Sequence, residues 1–286
     1  MFIFLDGNII ETTSEFVRAL APGVLQTRGV FETMLAWIEL YAGGKRLVLP
    51  AFMEHMDRME RGLMLMGINR PFDVAGLGDV IGLLLKKNHI GRARVRVSVW
   101  EQGGGIRSSV ICQPFYGYSE KKYFIGFTAI ISSELRKKTR FSHLKTYDYR
   151  CFYDAFQEAI GYGYDEAILL NSRGELVEGT RTNLFWIKKQ TIFTPAIRCG
   201  CLNGITRQIV RKCVRSMGLS FHAVHADIHQ LLDSDEAFFT NSLHGVMPLV
   251  RVGFNNIGEG YSGELSLSIR EEYKKILSSL LTIIKI

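Results

Sequence analysis

The sequence contains few cysteines, and their number is odd. Five cysteines stand among 286 residues, at positions 112, 151, 199, 201 and 213. Such a set provides no disulfide framework of the kind that staples small secreted domains. The scarcity argues against an oxidising compartment, and we predict a cytoplasmic protein.

Long apolar runs are also missing. The longest one, residues 276–286, is interrupted by serines and a lysine. It falls well short of the roughly 20 residues that cross a bilayer, and we predict a terminal helix packed on the core. Residues 1–5 are apolar from the start, without the basic region or the small-residue cleavage site of a signal peptide.

Clusters of basic residues are the third absence. The formal net charge is +7, with 35 Lys and Arg against 28 Asp and Glu, but the basic residues are scattered along the chain. A nucleic-acid or membrane partner would need them gathered into a patch, so neither partner is predicted. The positive balance is compatible with a small anionic ligand.

The chain has enough apolar sequence for more than one core. Hydrophobic residues make up 47% and charged residues 22% of the chain, as in ordinary globular proteins. A run of three glycines at 103–105 and a turn-rich segment at 113–118 follow a predicted strand. We therefore predict an N-terminal α/β domain over residues 1–117 and a second domain over residues 118–286.

The first half carries clear signals of strands and helices. Asp6-Gly7-Asn8 separates two short apolar segments and predicts a tight hairpin. Residues 51–66 repeat apolar side chains at helical spacing, and Gly67 is the expected stop. Residues 92–99 alternate between small apolar and polar side chains, which predicts a strand with one apolar face and three arginines on the other.

In the second half, residues 204–217 predict a helix with Asn203 as its N-cap. Strands and helices occur in both halves without the regular alternation of a doubly wound sheet, so the predicted fold class is α+β. At the start of the helix, residues 202–207 form a small-residue turn where free amides and the macrodipole favour an anion such as phosphate. When this segment is taken alone, an ordinary capped helix is the better explanation.

Several motifs together resemble one enzyme family. Residues 163–171, followed by Leu176-Val177-Glu178-Gly179-Thr180-Arg181-Thr182-Asn183, resemble the signature of fold-type IV pyridoxal-phosphate enzymes, the class IV aminotransferases. That group contains branched-chain aminotransferases, D-amino-acid aminotransferases and aminodeoxychorismate lyase. Further motifs follow in the expected order, namely Gly29-Val30-Phe31-Glu32, Glu54-His55-Met56-Asp57-Arg58, Leu144-Lys145, residues 202–207 and Thr240-Asn241-Ser242. The resemblance therefore covers nearly the whole chain.

The resemblance implies a fold, a cofactor and a set of site residues. It implies an N-terminal α/β sandwich, a C-terminal barrel-like domain that carries the Schiff-base lysine, a homodimer, and pyridoxal 5′-phosphate as the cofactor. Lys145 is the implied Schiff-base and catalytic residue. The implied cofactor-binding residues are Lys145, Glu178, Arg58, Ile205, Thr206 and Ser242, and the substrate-binding residues are Arg96, Glu32 and Leu243.

The expected chemistry explains why these residue types are needed. A lysine condenses with an aldehyde only as the free amine, so its pKa must fall from about 10.4. Once an amino acid displaces it, the amine of Lys145 can move a proton between substrate Cα and cofactor C4′. A carboxylate from Glu178 would keep the pyridine nitrogen protonated, and helix amides, hydroxyls and Arg58 suit a phosphate dianion.

Three functions are compatible with these motifs. The first is a branched-chain-type aminotransferase that acts on amino acids and 2-oxo acids. The second is aminodeoxychorismate lyase, which releases pyruvate to give 4-aminobenzoate. Asn203 and residues 241–248 resemble that enzyme, and Arg150 stands where well-known branched-chain aminotransferases have a tyrosine. The third is a non-catalytic relative that kept the fold as a binding module.

No metal site is predicted. His222, His225 and His229 are close in sequence, but a strand entering a helix capped by Asp227 would turn their rings apart. The pair Cys199 and Cys201 supplies too few ligands for zinc by itself.

Overall fold

Strands and helices alternate irregularly along the chain in the computed structural model, which describes residues 1–69 and 73–286. The first elements are β1 (Phe2–Leu5), β2 (Asn8–Glu11), α1 (Ser14–Ala19), β3 (Gly29–Tyr41), β4 (Gly44–Pro50), α2 (Phe52–Met66), α3 (Val74–Lys87), β5 (Arg92–Gln102), β6 (Gly105–Pro114), α4 (Glu120–Ile125) and β7 (Phe127–Leu135). They continue with α5 (Arg150–Gly161), β8 (Glu166–Leu170), β9 (Leu176–Gly179), β10 (Asn183–Lys188), β11 (Thr191–Pro195), the 3-10 helix η1 (Ile197–Cys199), α6 (Ile205–Ser216), β12 (Ser220–Val224), α7 (Ile228–Leu232), β13 (Glu236–Asn241), β14 (Gly245–Val252), β15 (Asn255–Asn256), α8 (Glu264–Ser278) and β16 (Leu281–Lys285).

The chain divides into two compact units. The first unit contains Met1–Tyr116, Leu144–Tyr149 and Leu277–Ile286, and the second contains Gly117–His143 and Arg150–Ile276. The segment that carries Lys145 therefore packs with the first unit, whereas the sequence-based division assigned it to the second domain.

The first unit is built on an antiparallel sheet of seven strands in the order β16-β4-β3-β5-β6-β1-β2. The predicted hairpin joins β1 and β2. Its two turn residues, Asp6 and Gly7, have φ of 47° and 89°, as the tight turn with two left-handed residues requires. The predicted helix is α2, and it ends at Gly67, which has the left-handed φ of 68°.

The strand predicted over residues 92–99 is β5. Its four alternate apolar residues, Ala93, Val95, Val97 and Val99, are completely buried. Burying each valine side chain contributes about 1.5–3 kcal/mol. The three arginines lie on the opposite face of β5, which pairs with β3 on one side and β6 on the other. The core on that face contains Ile3, Val17, Leu20, Phe31, Trp100, Ile111 and Tyr147.

The predicted terminal helix over residues 276–286 is wrong. The last helix, α8, ends at Ser278, and the segment that follows is β16, which pairs antiparallel with β4 from Leu281↔Pro50 to Lys285↔Arg46. Ile284 then packs directly onto Gly78 of α3, where an added Cβ would lie 2.1 Å from its terminal methyl. Pairing with a distant strand therefore decides the conformation of this segment.

The second unit contains a mixed sheet in the order β12-β11-β10-β13-β14-β7-β8-β9, with β15 added beside β14. The pairs β11–β12, β14–β7 and β7–β8 are parallel, and the others are antiparallel. Helix α6 packs near β12 and β13, with Ile205, Ile209, Val210, Cys213 and Val214 among its buried residues. Two sheets with helices in both units confirm the α+β prediction.

The cysteines form no covalent links, since all five are free thiols. Among the helices of the described residues, none combines the length and the apolar character needed to cross a bilayer.

Candidate functional site

The backbone around Lys145 is fixed to the beginning of β3. The amide of Phe31 donates to the carbonyl of Lys145 at 2.9 Å, and the amide of Tyr147 donates to the carbonyl of Gly29 at 3.1 Å. An isolated antiparallel bridge lies between these two bonds. The segment therefore behaves as a short extra strand, and the lysine backbone cannot turn without breaking this pairing.

Aromatic rings surround the lysine side chain. Its Nζ atom lies 4.6 Å from the centroid of the Phe31 ring and 5.7 Å from that of Tyr149. Phe31 in turn makes edge-to-face contacts with both Tyr149 and Tyr147. Tyr147 is buried in the core of the first unit, where its hydroxyl donates to the carbonyl of Leu20 at 3.4 Å. The amine is thus half-buried beside apolar faces rather than extended into solvent.

A buried ion pair joins β3 to α2. The side chain of Glu32 is 1% exposed, and its two oxygens accept from Nε of Arg58 at 2.7 Å and from a terminal guanidinium nitrogen at 2.6 Å. Burial raises the pKa of the Glu32 carboxyl, but the charge and hydrogen bonds of Arg58, together with the bond from His55, outweigh it and lower the pKa to about 2. Glu32 is therefore an anion at neutral pH.

His55 completes this group, although the sequence reasoning assigned it no role. Its Nδ1 lies 2.7 Å from Oε2 of Glu32. Burial lowers the pKa of His55, while Glu32 opposes that shift, and Lys145 and Arg58 add to it. A neutral ring facing a carboxylate must carry its proton on Nδ1. A sequence signal was available, because His55 precedes Arg58 by three residues and so shares its helix face.

Arg96 is the most enclosed of the three arginines on β5. A terminal nitrogen of its guanidinium donates to the carbonyl of Val17 at 3.3 Å. Its Nε is buried and has no hydrogen-bond partner among the described residues. Burial lowers the pKa of Arg96 to about 10, so the group stays charged. A buried cation with an unsatisfied donor suits an anionic ligand. Its neighbours Arg92 and Arg94 are exposed.

Glu178 stands on β9 in the second unit and is 4% exposed. Its Oε2 accepts from the amide of Leu202 at 2.9 Å, and its Oε1 lies 3.8 Å from Nε of Arg136. The guanidinium of Arg136 also stacks on the ring of Phe152. The carboxylate is therefore held in one orientation, next to the segment that leads into α6. Such a fixed, buried carboxylate is suited to a protonated ring nitrogen.

The predicted phosphate turn is present, but its cap differs from the prediction. Gly204, not Asn203, occupies the N-cap position of α6, and as a glycine it has no side chain with which to cap the helix. A Cβ at position 204 would lie 2.1 Å from Oδ1 of Asn183, so any other residue there would have to displace the Asn183 side chain. The Oδ1 of Asn203 accepts from Arg207 at 3.4 Å. The amides at the start of α6 favour an anion.

Ser242 and Leu243 lie in the turn between β13 and β14. Oδ1 of Asn241 accepts from the amides of Leu243 at 3.0 Å and His244 at 2.8 Å, which fixes the turn. Thr240, which precedes this turn, has a buried hydroxyl without a hydrogen-bond partner among the described residues. The Thr240-Asn241-Ser242 motif contained this residue, but the sequence reasoning singled out only its serine.

Tyr273 of α8 connects this turn to the start of α6. A Cβ at Gly245 would lie 2.9 Å from the Tyr273 ring. Burial raises the pKa of Tyr273 to about 12, and a hydrogen bond with the Thr206 side chain opposes that rise. The phenol is therefore protonated at neutral pH. The structure thus places Thr206 and the Ser242 turn against one common side chain.

Arg28 and Arg150, the residue that stands where well-known branched-chain aminotransferases have a tyrosine, are both engaged in ion pairs. Arg28 bonds with Glu101 at 2.9 Å and donates to the carbonyl of Met66 at 2.6 Å. Arg150 pairs with Asp154, one helical turn away, at 2.7 Å. Both side chains are largely exposed, so their role in the structure is to fasten local elements.

Comparison with known proteins identifies the family. The model of the class IV amino-transferases matches residues 29–252. The chain belongs to this family, which confirms the resemblance inferred from the motifs. It is a pyridoxal-phosphate-dependent enzyme of the transaminase type.

Individual relatives span the chain but diverge in activity. The chain is 27% identical over 98% of its length to aminodeoxychorismate lyase of Bacillus subtilis, of which it covers 96%. It is 26% identical over 96% of its length to branched-chain-amino-acid aminotransferase of Pseudomonas aeruginosa, of which it covers 92%. Among solved structures, a branched-chain amino acid aminotransferase from T.th. with pyridoxamine 5′-phosphate is similar, with a TM-score of 0.83, 25% identity, and coverage of 98% of this chain and 97% of that one.

The site residues fit the cofactor of this family. Taken one at a time, the fixed buried carboxylate of Glu178 would suit a pyridine nitrogen, the glycine-led start of α6 would suit a phosphate, and the half-buried Lys145 would suit an aldehyde.

Proposed function

We propose that the chain transfers an amino group between a branched-chain amino acid and a 2-oxo acid, and that Lys145 holds the cofactor covalently. The fixed position of Lys145 carries this proposal. Its backbone pairs with β3, and its amine lies between the rings of Phe31 and Tyr149. An ordinary surface lysine needs neither constraint, whereas a reacting amine must be aimed within a fraction of an ångström.

Lys145 would then transfer a proton during the reaction. When bound, pyridoxal phosphate supplies an electron sink for the charge left on the substrate Cα. The amine of Lys145, displaced by the incoming amino acid, would take the proton from substrate Cα and deliver it to cofactor C4′. Water would then release the 2-oxo acid and leave the amino group on the cofactor. The rings of Phe31 and Tyr149 lie beside the Lys145 amine and restrict its position.

The remaining assignments concern binding of the cofactor. We propose that Glu178 pairs with the ring nitrogen, because it is buried and held by the Leu202 amide. The phosphate would be bound by the amides of Ile205 and Thr206, the Thr206 hydroxyl, the Ser242 hydroxyl and Arg58. Arg58 also pairs with Glu32, and this bidentate contact fixes the plane of its guanidinium.

On the substrate side, we propose that Arg96 binds the substrate carboxylate. Its buried Nε lacks a partner among the described residues, and a bidentate carboxylate would satisfy it. Glu32 would define the pocket by orienting His55 and Arg58, because both of its oxygens already accept bonds from them. Leu243, partly buried in its turn, would contact the substrate side chain.

The lyase is the second candidate. The chain is 27% identical to the Bacillus subtilis lyase and 26% identical to the Pseudomonas aeruginosa aminotransferase. The segment Asn241-Ser242-Leu243 resembles the lyase. Both activities begin with the same lysine and the same bound cofactor, so these residues do not separate them.

Absorption spectroscopy tests the role of Lys145. The native protein with pyridoxal phosphate should show a visible band. Borohydride should remove this band and leave the cofactor covalently attached to the chain, and Lys145→Ala should show neither the band nor the attachment. Lys137→Ala is the matched control, because Lys137 is an exposed lysine of the preceding loop. Labelling at another lysine in the native protein would refute the assignment.

A substrate panel separates the two activities. Leucine, isoleucine and valine with 2-oxoglutarate should give glutamate and branched 2-oxo acids. Release of pyruvate from aminodeoxychorismate, without amino transfer from this panel, would establish the lyase instead.

We also infer by the family resemblance that the protein is a homodimer, and we propose the cytoplasm as its compartment because all five cysteines are free thiols. Sedimentation equilibrium of the cofactor-loaded protein tests the first inference, and cell fractionation tests the second.

A further inference from the structure

Three side chains with metal-binding atoms meet in the second unit, and none of them has a role in the proposed reaction. They are Glu175 before β9, Cys199 in η1 and His225 after β12. One ligand atom from each lies within 4.8 Å of the others. The sequence showed the histidines and the cysteines as separate groups, each inadequate for a metal, whereas the fold combines one of each with a carboxylate.

The distances between these atoms match those between ligands of one metal ion. Sγ of Cys199 lies 3.4 Å from Nδ1 of His225, and Oε1 of Glu175 lies 3.1 Å from the same nitrogen. Around tetrahedral zinc, bonds of about 2.3 Å to sulfur and about 2.0–2.2 Å to nitrogen or oxygen separate the ligands by about 3.3–3.6 Å. The two distances to Nδ1 therefore differ from those of a zinc site by only a few tenths of an ångström, and Sγ and Oε1 lie within 4.8 Å of each other.

Hydrogen bonds orient the carboxylate. Asn171 Nδ2 donates to Oε2 of Glu175 at 2.6 Å, and Arg173 donates to the same oxygen at 2.7 Å. Oε1 is therefore the oxygen turned towards His225. Asn171 also donates to the carbonyl of Cys199 at 3.3 Å, so one amide links two of the three residues. Such outer contacts are typical of metal ligands.

The backbone that carries His225 is fixed on both sides. The carbonyl of Val224 accepts from the amide of Ala196 at 2.8 Å, and the carbonyl of Ala226 accepts from the amide of Leu176 at 2.7 Å. These bonds connect the histidine strand to the segments that hold the other two ligands. The three donors are thus brought together by ordinary sheet pairing before any ion binds.

We propose that Glu175, Cys199 and His225 bind one divalent transition metal ion of the zinc class through Oε1, Sγ and Nδ1. The set of sulfur, nitrogen and oxygen donors suits Zn²⁺ and excludes Mg²⁺ and Ca²⁺, which require oxygen ligands. The half-exposed imidazole leaves the fourth position open to water. The ion would fasten three loops of the second unit to one another.

Metal binding at this site releases a proton from Cys199, and its strength depends on the charges nearby. Burial raises the pKa of the Cys199 thiol, with Glu175 adding to the rise, so the ion displaces one proton from sulfur as it binds. The thiolate and carboxylate then contribute two negative charges. Arg173 beside Glu175 opposes the cation and places the affinity below that of a four-ligand structural site.

Cobalt provides the test, because Co²⁺ substitutes for Zn²⁺ and reports its ligands. The cofactor-loaded enzyme, freed of metals by a chelator and desalted, is titrated with Co²⁺. One equivalent should produce visible bands of four-coordinate cobalt and a thiolate-to-cobalt charge-transfer band, and Zn²⁺ should remove both. Cys199→Ser should abolish the charge-transfer band, and His225→Ala should weaken Co²⁺ binding by more than about tenfold.

Matched controls come from the same segments. Cys201→Ser changes a buried thiol that faces the carbonyls of Pro195 and Ala196, and His222→Ala changes a histidine that stacks on Phe193. Both should bind Co²⁺ as the native enzyme does. Absence of saturable binding, or a charge-transfer band that persists in Cys199→Ser, would overturn the proposal. If Cys199→Ser does not fold, unchanged binding by the folded His225→Ala variant overturns it equally.

Discussion

Replacing Glu32 with glutamine tests the buried ion pair of the first unit. Glutamine keeps the size of the side chain but removes its charge. Arg58 would then remain buried opposite a neutral amide, and His55 would lose the carboxylate that its Nδ1 faces. Because a buried charge without its counter-charge is costly, we expect a large loss of stability.

The magnitude follows from the pKa of Glu32. The value falls from 4.5 to about 2, and each unit corresponds to about 1.4 kcal/mol, so the ionised carboxylate contributes about 3 kcal/mol. Breaking a buried pair by removing one partner costs about 3–5 kcal/mol in other proteins. We therefore expect Glu32→Gln to lower the free energy of unfolding by about 3 kcal/mol at pH 7.

The assay is urea unfolding of the cofactor-loaded protein, followed by tryptophan fluorescence, since Trp37 and Trp100 both lie in the first unit. Glu39→Gln is the control, because Glu39 stands on the same strand and makes a partly exposed pair with Arg46. It should cost less than about 1 kcal/mol. Equal losses for the two variants, or a loss below about 1 kcal/mol for Glu32→Gln, would refute the reasoning.

The same pair predicts a pH dependence with a definite sign. The folded pKa of Glu32 is below its unfolded value, so its contribution is complete above pH 4.5 and disappears as the pH falls towards 2. The stability difference between the native protein and Glu32→Gln should accordingly be constant from pH 6 to 8 and shrink below about pH 4.5. A difference that grows on acidification would contradict this assignment.

Three further predictions concern single positions. Arg96→Lys keeps the charge but loses the two-pronged geometry, so KM for the amino donor should rise about 10–100-fold while the visible cofactor band persists; an unchanged KM would exclude Arg96 from carboxylate binding. Gly204→Ala places a Cβ against Oδ1 of Asn183, so cofactor affinity measured by fluorescence should fall about tenfold or more, and Asn183→Ala in the same chain should restore part of it. Asp227→Ala removes the capping box of α7 and should lower the free energy of unfolding by about 0.5–2 kcal/mol, whereas an unchanged urea midpoint would show that the cap contributes nothing.

Local signals in the sequence predicted local structure well. The Asp6-Gly7 turn, the helix that ends at Gly67 and the alternation on β5 all depend on neighbouring residues, and all three are confirmed. The N-cap of α6 was predicted one residue early because Asn203 has a suitable side chain. In the fold that side chain accepts from Arg207, and Gly204 stands at the N-cap with the Asn183 side chain packed against it.

Distant pairings account for what the sequence did not reveal. The conformation of residues 281–285 depends on β4, and nothing near them in the chain indicates that strand. The ion pair of Glu32 and Arg58 was likewise invisible, since each residue was assigned its role from a separate motif. The cluster of Glu175, Cys199 and His225 gathers residues from three segments, and the spacing of any one segment gives no sign of it.

The pairing of β16 with β4 has a consequence for how the chain acquires its fold during synthesis. During translation β4 emerges with one edge open, and the strand that covers this edge is made more than two hundred residues later. The unpaired amides and carbonyls of such an edge can recruit another nascent chain. The first unit is therefore exposed to misassembly until late in synthesis, and a fragment ending near residue 116 would keep that exposed edge permanently.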